Sequence, residues 1–396
     1  MPVDYQDIQR QIREMAGQAS LNQQKQDDLL EAALRQLHAY AGHLEELARR
    51  VEWAAEVNNR LRCALPAGEA IDARFPLPDL PQPGVILAAD GSQINPNHHD
   101  SVAFGVVNVG VIRIAPDSGQ APREIIRSHL LSNEELDPPE GPIGEEVVAL
   151  MRDLSERRIM AELARAEPDP AAVLTLTDGP LELFFEAKDS ARYKELLRDY
   201  LEALDQLADL NVVTAGYVDK PRNDLVIRML ELTLLANEEL DLAGLPDGRR
   251  LHPLTDTQLF ARLLQPGDRT ALFGIQSRGI KGFQGRKALF FFYLNVGFPG
   301  FPALARIEVP AWVAENRHAV DQLHAALIAQ CRQMGSKPFP YALHRAHEVA
   351  VVSLDEKQYL ETMIANELRS HGIAVGGSSN KQTHKDQSGV RARYSR

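Results

Sequence analysis

Two short apolar runs, Val85-Ile86-Leu87-Ala88-Ala89 and Val173-Leu174-Thr175-Leu176-Thr177, each lead straight into Asp-Gly. Runs of this length, bounded by turn residues, predict buried strands. Each strand then presents a carboxylate, Asp90 in Asp90-Gly91-Ser92 and Asp178 in Asp178-Gly179-Pro180. Asp-Gly alone is ordinary turn chemistry, so the weight lies in the shared placement after buried strands. Between the two runs lie β-rich stretches at 102–114 and 123–131 and a helical segment at 145–166. After them come a helix near 183–207, a strand at 211–218 and a helix from about Asp224. Three strands, a helix, a strand, a helix, a strand and a helix is the order of a ribonuclease H-like α/β fold, a mixed sheet flanked by helices. Its first and fourth strands are neighbours, so Asp90 and Asp178 would project together from strand ends, the usual ligand position in α/β sheets.

Two aspartates there, joined by a carboxylate from the intervening helix, make a set of hard oxygen donors suited to Mg²⁺ or Mn²⁺. Such a set serves phosphodiester hydrolysis by activating water and stabilising the leaving oxygen. For the helix carboxylate there are two candidates, Glu156 and Glu162, which lie about 240° apart around the axis and cannot both face one site. Glu162 falls within the stripe of Val147, Val148, Met151 and Ile159, and a sheet-facing position favours it. His98, His99 and Asp100 follow the first Asp-Gly as further possible ligands, against the simpler reading of a polar loop. Near the C-terminus, 337–348 combines His344, His347 and Arg345 with Phe339 and Tyr341, side chains that could bind a phosphate or stack a base.

The rest of the chain sets boundaries. Residues 1–65 read as a helical, coiled-coil-like extension, with Leu34, Leu37, Leu44 and Leu47 at alternating three- and seven-residue steps that a helical seam can use, packing onto its own domain being an equal alternative. Residues 66–84, with prolines at 66, 76, 78, 81 and 83, read as an extended linker, 85–377 as the catalytic-type domain and 378–396 as a basic disordered tail. With 44% hydrophobic and 25% charged residues most of the chain should fold, and the net charge of −12 argues against coating nucleic acid by general electrostatics. It leaves room for an enzyme acting on nucleic acid through an acidic metal site. The two cysteines, Cys63 and Cys331, form no CxxC pair, and no GxxxxGK[ST], HExxH or GxSxG motif occurs. A polar N-terminus and the lack of a long apolar run give a cytoplasmic expectation.

Taken in order, seven blocks resemble the NurA family of DNA end-processing nucleases. They are ILAADGSQ at 86–93, LTLTDGPLE at 174–182, GYVDKPR at 216–222, TDTQLFARLLQPGDRTALF at 255–273, FFYLNVG at 291–297, ARIEVPAWVAE at 305–315 and FPYALHRAHEVAVV at 339–352. The resemblance implies a manganese-dependent (or magnesium-dependent) enzyme acting on DNA ends and single strands. It further implies 5′-to-3′ exonuclease and single-strand endonuclease activity in double-strand break repair, a homodimer, and a HerA-type hexameric translocase as partner. By position it makes Asp90, Glu156 and Asp178 the metal ligands and places His347 at the site. That choice of Glu156 conflicts with the facing argument for Glu162, so both stay in the candidate set. Phe339 or Tyr341 would contact DNA, and Lys220 and Arg269 match basic positions that their charge suggests as phosphate contacts. Other classes remain open, namely a catalytically weak docking subunit of the translocase and a ribonuclease H-like enzyme for RNA or hybrids. Pro180 after Asp178-Gly179, where the family often has serine, and the long N-terminal extension depart from the pattern.

Overall fold

The computed structural model describes residues 4–97, 102–138, 141–184, 190–240, 249–373 and 375. His98, His99, Asp100 and the basic tail from 378 lie outside the described residues. The chain forms two compact units, one from Met1–Pro81, Gly179–Glu182 and Ala215–Phe339, the other from Gln82–Asp178, Leu183–Thr214 and Pro340–Arg396.

The first unit opens with α1 (Tyr5–Ala39) and α2 (Leu44–Val57), followed by β1 (Cys63–Pro66) and β2 (Arg74–Phe75). Chain order then passes through the second unit: β3 (Val85–Ile94), β4 (Val106–Ile114), β5 (Arg123–Leu130), α3 (Asn133–Leu136), α4 (Glu145–Ala166), β6 (Val173–Asp178) and α5 (Ala191–Asp209). β7 (Val213–Val218) carries the chain back to the first unit, which adds α6 (Leu225–Thr233), α7 (Asn237–Leu240), α8 (Asp256–Phe260), β8 (Arg269–Thr270), β9 (Phe273–Gln276), β10 (Leu289–Asn295), β11 (Leu304–Pro310), α9 (Ala311–Ala314) and α10 (Arg317–Arg332). The second unit closes with α11 (Tyr341–Ala350) and α12 (Leu354–Ser370).

In the first unit β1, β9, β10, β11 and β7 pair antiparallel in that order, and β8 joins β10 to β2. The N-terminal helices are built into this unit: Leu37, Leu47, Val51 and Ala54 are fully buried, and α2 packs on α6 and β1. The proline-rich stretch is likewise anchored, since Ile71 is fully buried and Arg74 and Phe75 pair with Thr270 and Arg269. Residues 66–84 are therefore sheet and core as well as connection.

The second unit holds the order expected of a ribonuclease H-like fold. β3, β4 and β5 form an antiparallel meander, and β6 lies parallel beside β3 with Val85 to Ala89 facing Val173 to Thr177. Parallel pairing buries both faces of these strands, which is why each reads as an unbroken apolar run. α4 packs against β3 and α5, and α11 against β3 and β4.

Candidate functional site

Ala89 pairs with Thr177, so Asp90 and Asp178 follow equivalent positions on neighbouring parallel strands. Their backbones differ. The Asp-Gly-Ser after the first run does not turn: β3 continues to Ile94, still paired with β4, and Asp90 marks only the point where β6 ceases to accompany it. At Asp178 the turn is real, and Gly179 takes a φ of +94° that a side chain would resist.

Asp90 is joined by α11. Opposite it in β4 stands Gly110, where a Cβ would fall 2.7 Å from the backbone nitrogen of Ala350 and 2.9 Å from the carbonyl of Ala346. The missing side chain lets α11 lie directly on the sheet. Its last turn is held there by the Ala350 carbonyl, which accepts from Ser92 Oγ at 2.5 Å and Asn108 Nδ2 at 2.7 Å. One turn back, His347 Nδ1 donates to Asp90 Oδ2 at 2.7 Å, while Asp90 Oδ1 accepts from the backbone of Gly91 at 2.8 Å. The His347 side chain stays 61% exposed. The structure thus brings together two residues 257 positions apart.

Gly91 serves α4 in the same way. A Cβ on it would meet Arg152 Cγ at 2.5 Å and Glu156 Oε1 at 2.6 Å. Glu156 is only 5% exposed, and burial, then the negative charge of Asp153, push its carboxyl well above the usual range, with Asp90 adding to the effect. Arg157 and then Arg152 oppose it; the Arg152 guanidinium bonds Asp153 at 2.8 Å, Gln93 at 3.3 Å and lies 3.7 Å from Glu156 Oε1. Neither Arg152 nor Asp153 was picked out by sequence pattern, although both stand on the helix face that carries Glu156.

The facing argument for Glu162 fails. Its side chain is exposed, while Glu156 is buried. α4 is packed around much of its circumference, with Leu150, Leu154, Arg157, Met160, Ala161 and Ala164 buried alongside the predicted stripe. An apolar stripe therefore does not identify the face that carries the site. Arg269 is the second correction. It is fully buried, with its guanidinium 3.9 Å from the Phe75 ring centroid and bonded to Glu69 at 3.2 and 3.3 Å, so it ties the former linker to β8 and offers nothing to a phosphate. Lys220 is exposed beside Asp219, at 3.8 Å. Phe339 is half-buried edge-on to Tyr217 at 5.4 Å, and Tyr341 is half-buried at the start of α11. Arg345 is committed to Glu124 and Glu348. Both cysteines are buried, with burial pushing each thiol up to about 12, as inert structural thiols behave.

Among the described residues no group of three or more His, Cys, Asp or Glu side chains is placed to hold a metal ion. The donor chemistry nevertheless suits a hard divalent cation: Asp90, Glu156 and Asp178 are carboxylates, and Glu156 is held buried against like charges that a cation would neutralise. No helix among the described residues is long and apolar enough to cross a membrane.

The NurA domain family matches residues 84–352, ending just before α12. Among curated proteins, none matches the chain. Among solved structures, the NurA nuclease from Sulfolobus solfataricus is similar at 12% identity and a TM-score of 0.45, over 84% of this chain and 95% of that one. A second NurA crystal structure aligns at 10% identity and a TM-score of 0.39, over 73% and 90% of the two chains. Human ENDOV aligns at 16% identity and 0.32, over 81% and 100%.

Proposed function

This chain belongs to the NurA domain family, and on that premise we propose that it is a divalent-metal-dependent DNA nuclease whose centre is Asp90, Glu156, Asp178 and His347. The observation that supports the reading is the register of β3 with β6, whose last pair, Ala89 with Thr177, comes immediately before Asp90 and Asp178, with the buried Glu156 against Gly91. Asp90, Glu156 and Asp178 would hold Mn²⁺ or Mg²⁺, which when bound lowers the pKa of an attacking water and offsets charge on the leaving oxygen. With Nδ1–H hydrogen-bonded to Asp90, a neutral His347 would present Nε2 as an acceptor toward a reacting oxygen. Arg152 balances the acidic cluster and can turn toward a scissile phosphate. Lys220, Phe339 and Tyr341 remain the proposed DNA contacts.

The finer reading is 5′-to-3′ exonuclease and single-strand endonuclease activity on DNA ends in break repair, by a cytoplasmic homodimer working with a HerA-type translocase. End-labelled single- and double-stranded DNA incubated with Mn²⁺, Mg²⁺ or EDTA tests it. Cleavage should require metal and vanish in folded Asp90→Ala, Asp178→Ala and Glu156→Gln, while Glu162→Gln cuts like the wild type. Cleavage that persists in the two aspartate variants sinks the assignment. Label position reports polarity, and RNA and hybrid substrates at matched salt report sugar preference.

A further inference from the structure

Arg157 stands next to Glu156 on α4 and is 3% exposed. Its Nη2 donates to Thr177 Oγ1 at 2.5 Å and its Nε to Tyr200 Oη at 3.0 Å. Its guanidinium carbon lies 5.6 Å from the Tyr200 ring centroid. Nη1 is buried without a hydrogen-bond partner, and the guanidinium makes no ion pair with any described residue. A buried cation whose hydrogen bonds go to two hydroxyls, with the Tyr200 ring and the charge of neighbouring Glu156 as its other support, is an expensive way to fill space, and an apolar side chain of similar length would pack there without the desolvation cost. What a hydrocarbon could not do is span three elements with directed bonds. Thr177 is the residue before Asp178, Glu156 is the residue before Arg157, and Tyr200 sits on α5 behind both.

We infer that Arg157 is a positioning residue of the carboxylate site: its fork ties the helix turn that carries Glu156 to the strand end that carries Asp178, and so sets the spacing of two groups proposed to hold the metal. The inference rests on the nuclease reading and assigns a further residue to it. Arg157 touches neither substrate nor metal. It acts through Thr177 and through its own helix turn, while Tyr200 satisfies the buried Nε and serves stability alone.

The test compares full-length wild type with Arg157→Met, Thr177→Val and Tyr200→Phe. Mn²⁺ affinity is read directly from the electron paramagnetic resonance signal of free Mn²⁺, with kcat, KM for a single-stranded oligonucleotide, and melting temperature measured alongside. Arg157→Met and Thr177→Val should each weaken Mn²⁺ binding by about tenfold or more, as loss of a supporting partner does at metal sites. Both should lower kcat with KM for DNA unchanged, whereas Tyr200→Phe should lower the melting temperature and keep Mn²⁺ affinity near wild type. Folded Arg157→Met and Thr177→Val with wild-type affinity and kcat overturn the inference. Should Arg157→Met fail to fold, the isosteric Thr177→Val decides by the same criteria. A wild type that neither binds Mn²⁺ nor cuts DNA brings down the nuclease reading and this inference with it, an outcome plainly different from a working wild type with unaffected variants.

Discussion

Gly91 shows how one absent side chain sets the chemistry around it. Its backbone leaves room for Arg152 and for the carboxylate of Glu156; the Glu156 carboxylate is a side-chain end that can swing away, whereas Arg152 meets it at Cγ and must shift its whole side chain. Gly91→Ala should therefore cost about 1 kcal/mol of stability, the low end for overpacking, yet displace the Glu156 carboxylate. Nuclease activity should fall by a larger factor than the modest loss in melting temperature suggests. Activity equal to wild type would mean that Glu156 need not occupy its observed place. Gly110 does the corresponding service for α11, and through it for His347. In the sequence Gly91 looks like a turn glycine after Asp90 and Gly110 like an ordinary strand glycine, because the element that presses on each comes from far along the chain.

Among the elements, α1 and α2 differ most from their sequence-based description. A helical extension joined by a proline-rich linker would be separable, but Leu47 is fully buried and α2 packs on α6 and β1 of the same compact unit. His38 Nδ1 bonds Asp72 at 2.9 Å and the Thr233 hydroxyl bonds Gln36 at 3.0 Å, tying α1 to the proline-rich stretch and to α6. Leu47→Ala should destabilise the protein by about 2–5 kcal/mol, the usual range for a core leucine, as read by chemical denaturation. An unchanged midpoint would mark the helices as detachable. Helix and strand positions themselves were legible, since helical spacing and apolar runs report on local burial. That proline-rich residues pair with β8 was not, because β2 is only two residues long and its partner lies at Arg269 and Thr270.

At the scale of the whole molecule, two buried groups of the first unit contribute to how stability responds to acid. His324 is fully buried, with Nε2 donating to the Gly267 carbonyl at 2.6 Å and Nδ1 without a partner. Burial, reinforced by nearby Arg269, lowers its pKa to about 4. The unfolded chain then binds a proton that the folded chain refuses, so stability is lost as pH falls from about 6.5 to 4, by about 3 kcal/mol at most. Asp256 works the other way. Burial raises its pKa to about 6 despite bonds from the Ile227 and Val226 amides and the Tyr293 hydroxyl, so the folded state gains as pH falls through the same window. His324→Gln should therefore flatten the acid loss in melting temperature, and Asp256→Asn should steepen it. Parallel pH profiles for the wild type and both variants would refute this account.

Local pattern was enough to propose Asp90 and Asp178, because an apolar run that stops at a carboxylate is a property of neighbouring residues, and enough to order the strands so that β6 lies parallel beside β3. The helix pattern also offered Glu156 beside Glu162, and the 337–348 segment offered His347, and motif likeness favoured Glu156 and His347 among these candidates. The choice between Glu156 and Glu162 belonged to the tertiary structure, because α4 is packed around much of its girth and periodicity no longer marks a single inner face. The same holds for Arg269, whose charge suggests a phosphate but whose burial under Phe75 and beside Glu69 depends on chain that lies about 200 residues away. Charge and spacing are written along the chain, whereas burial and contact depend on which distant element comes to rest there.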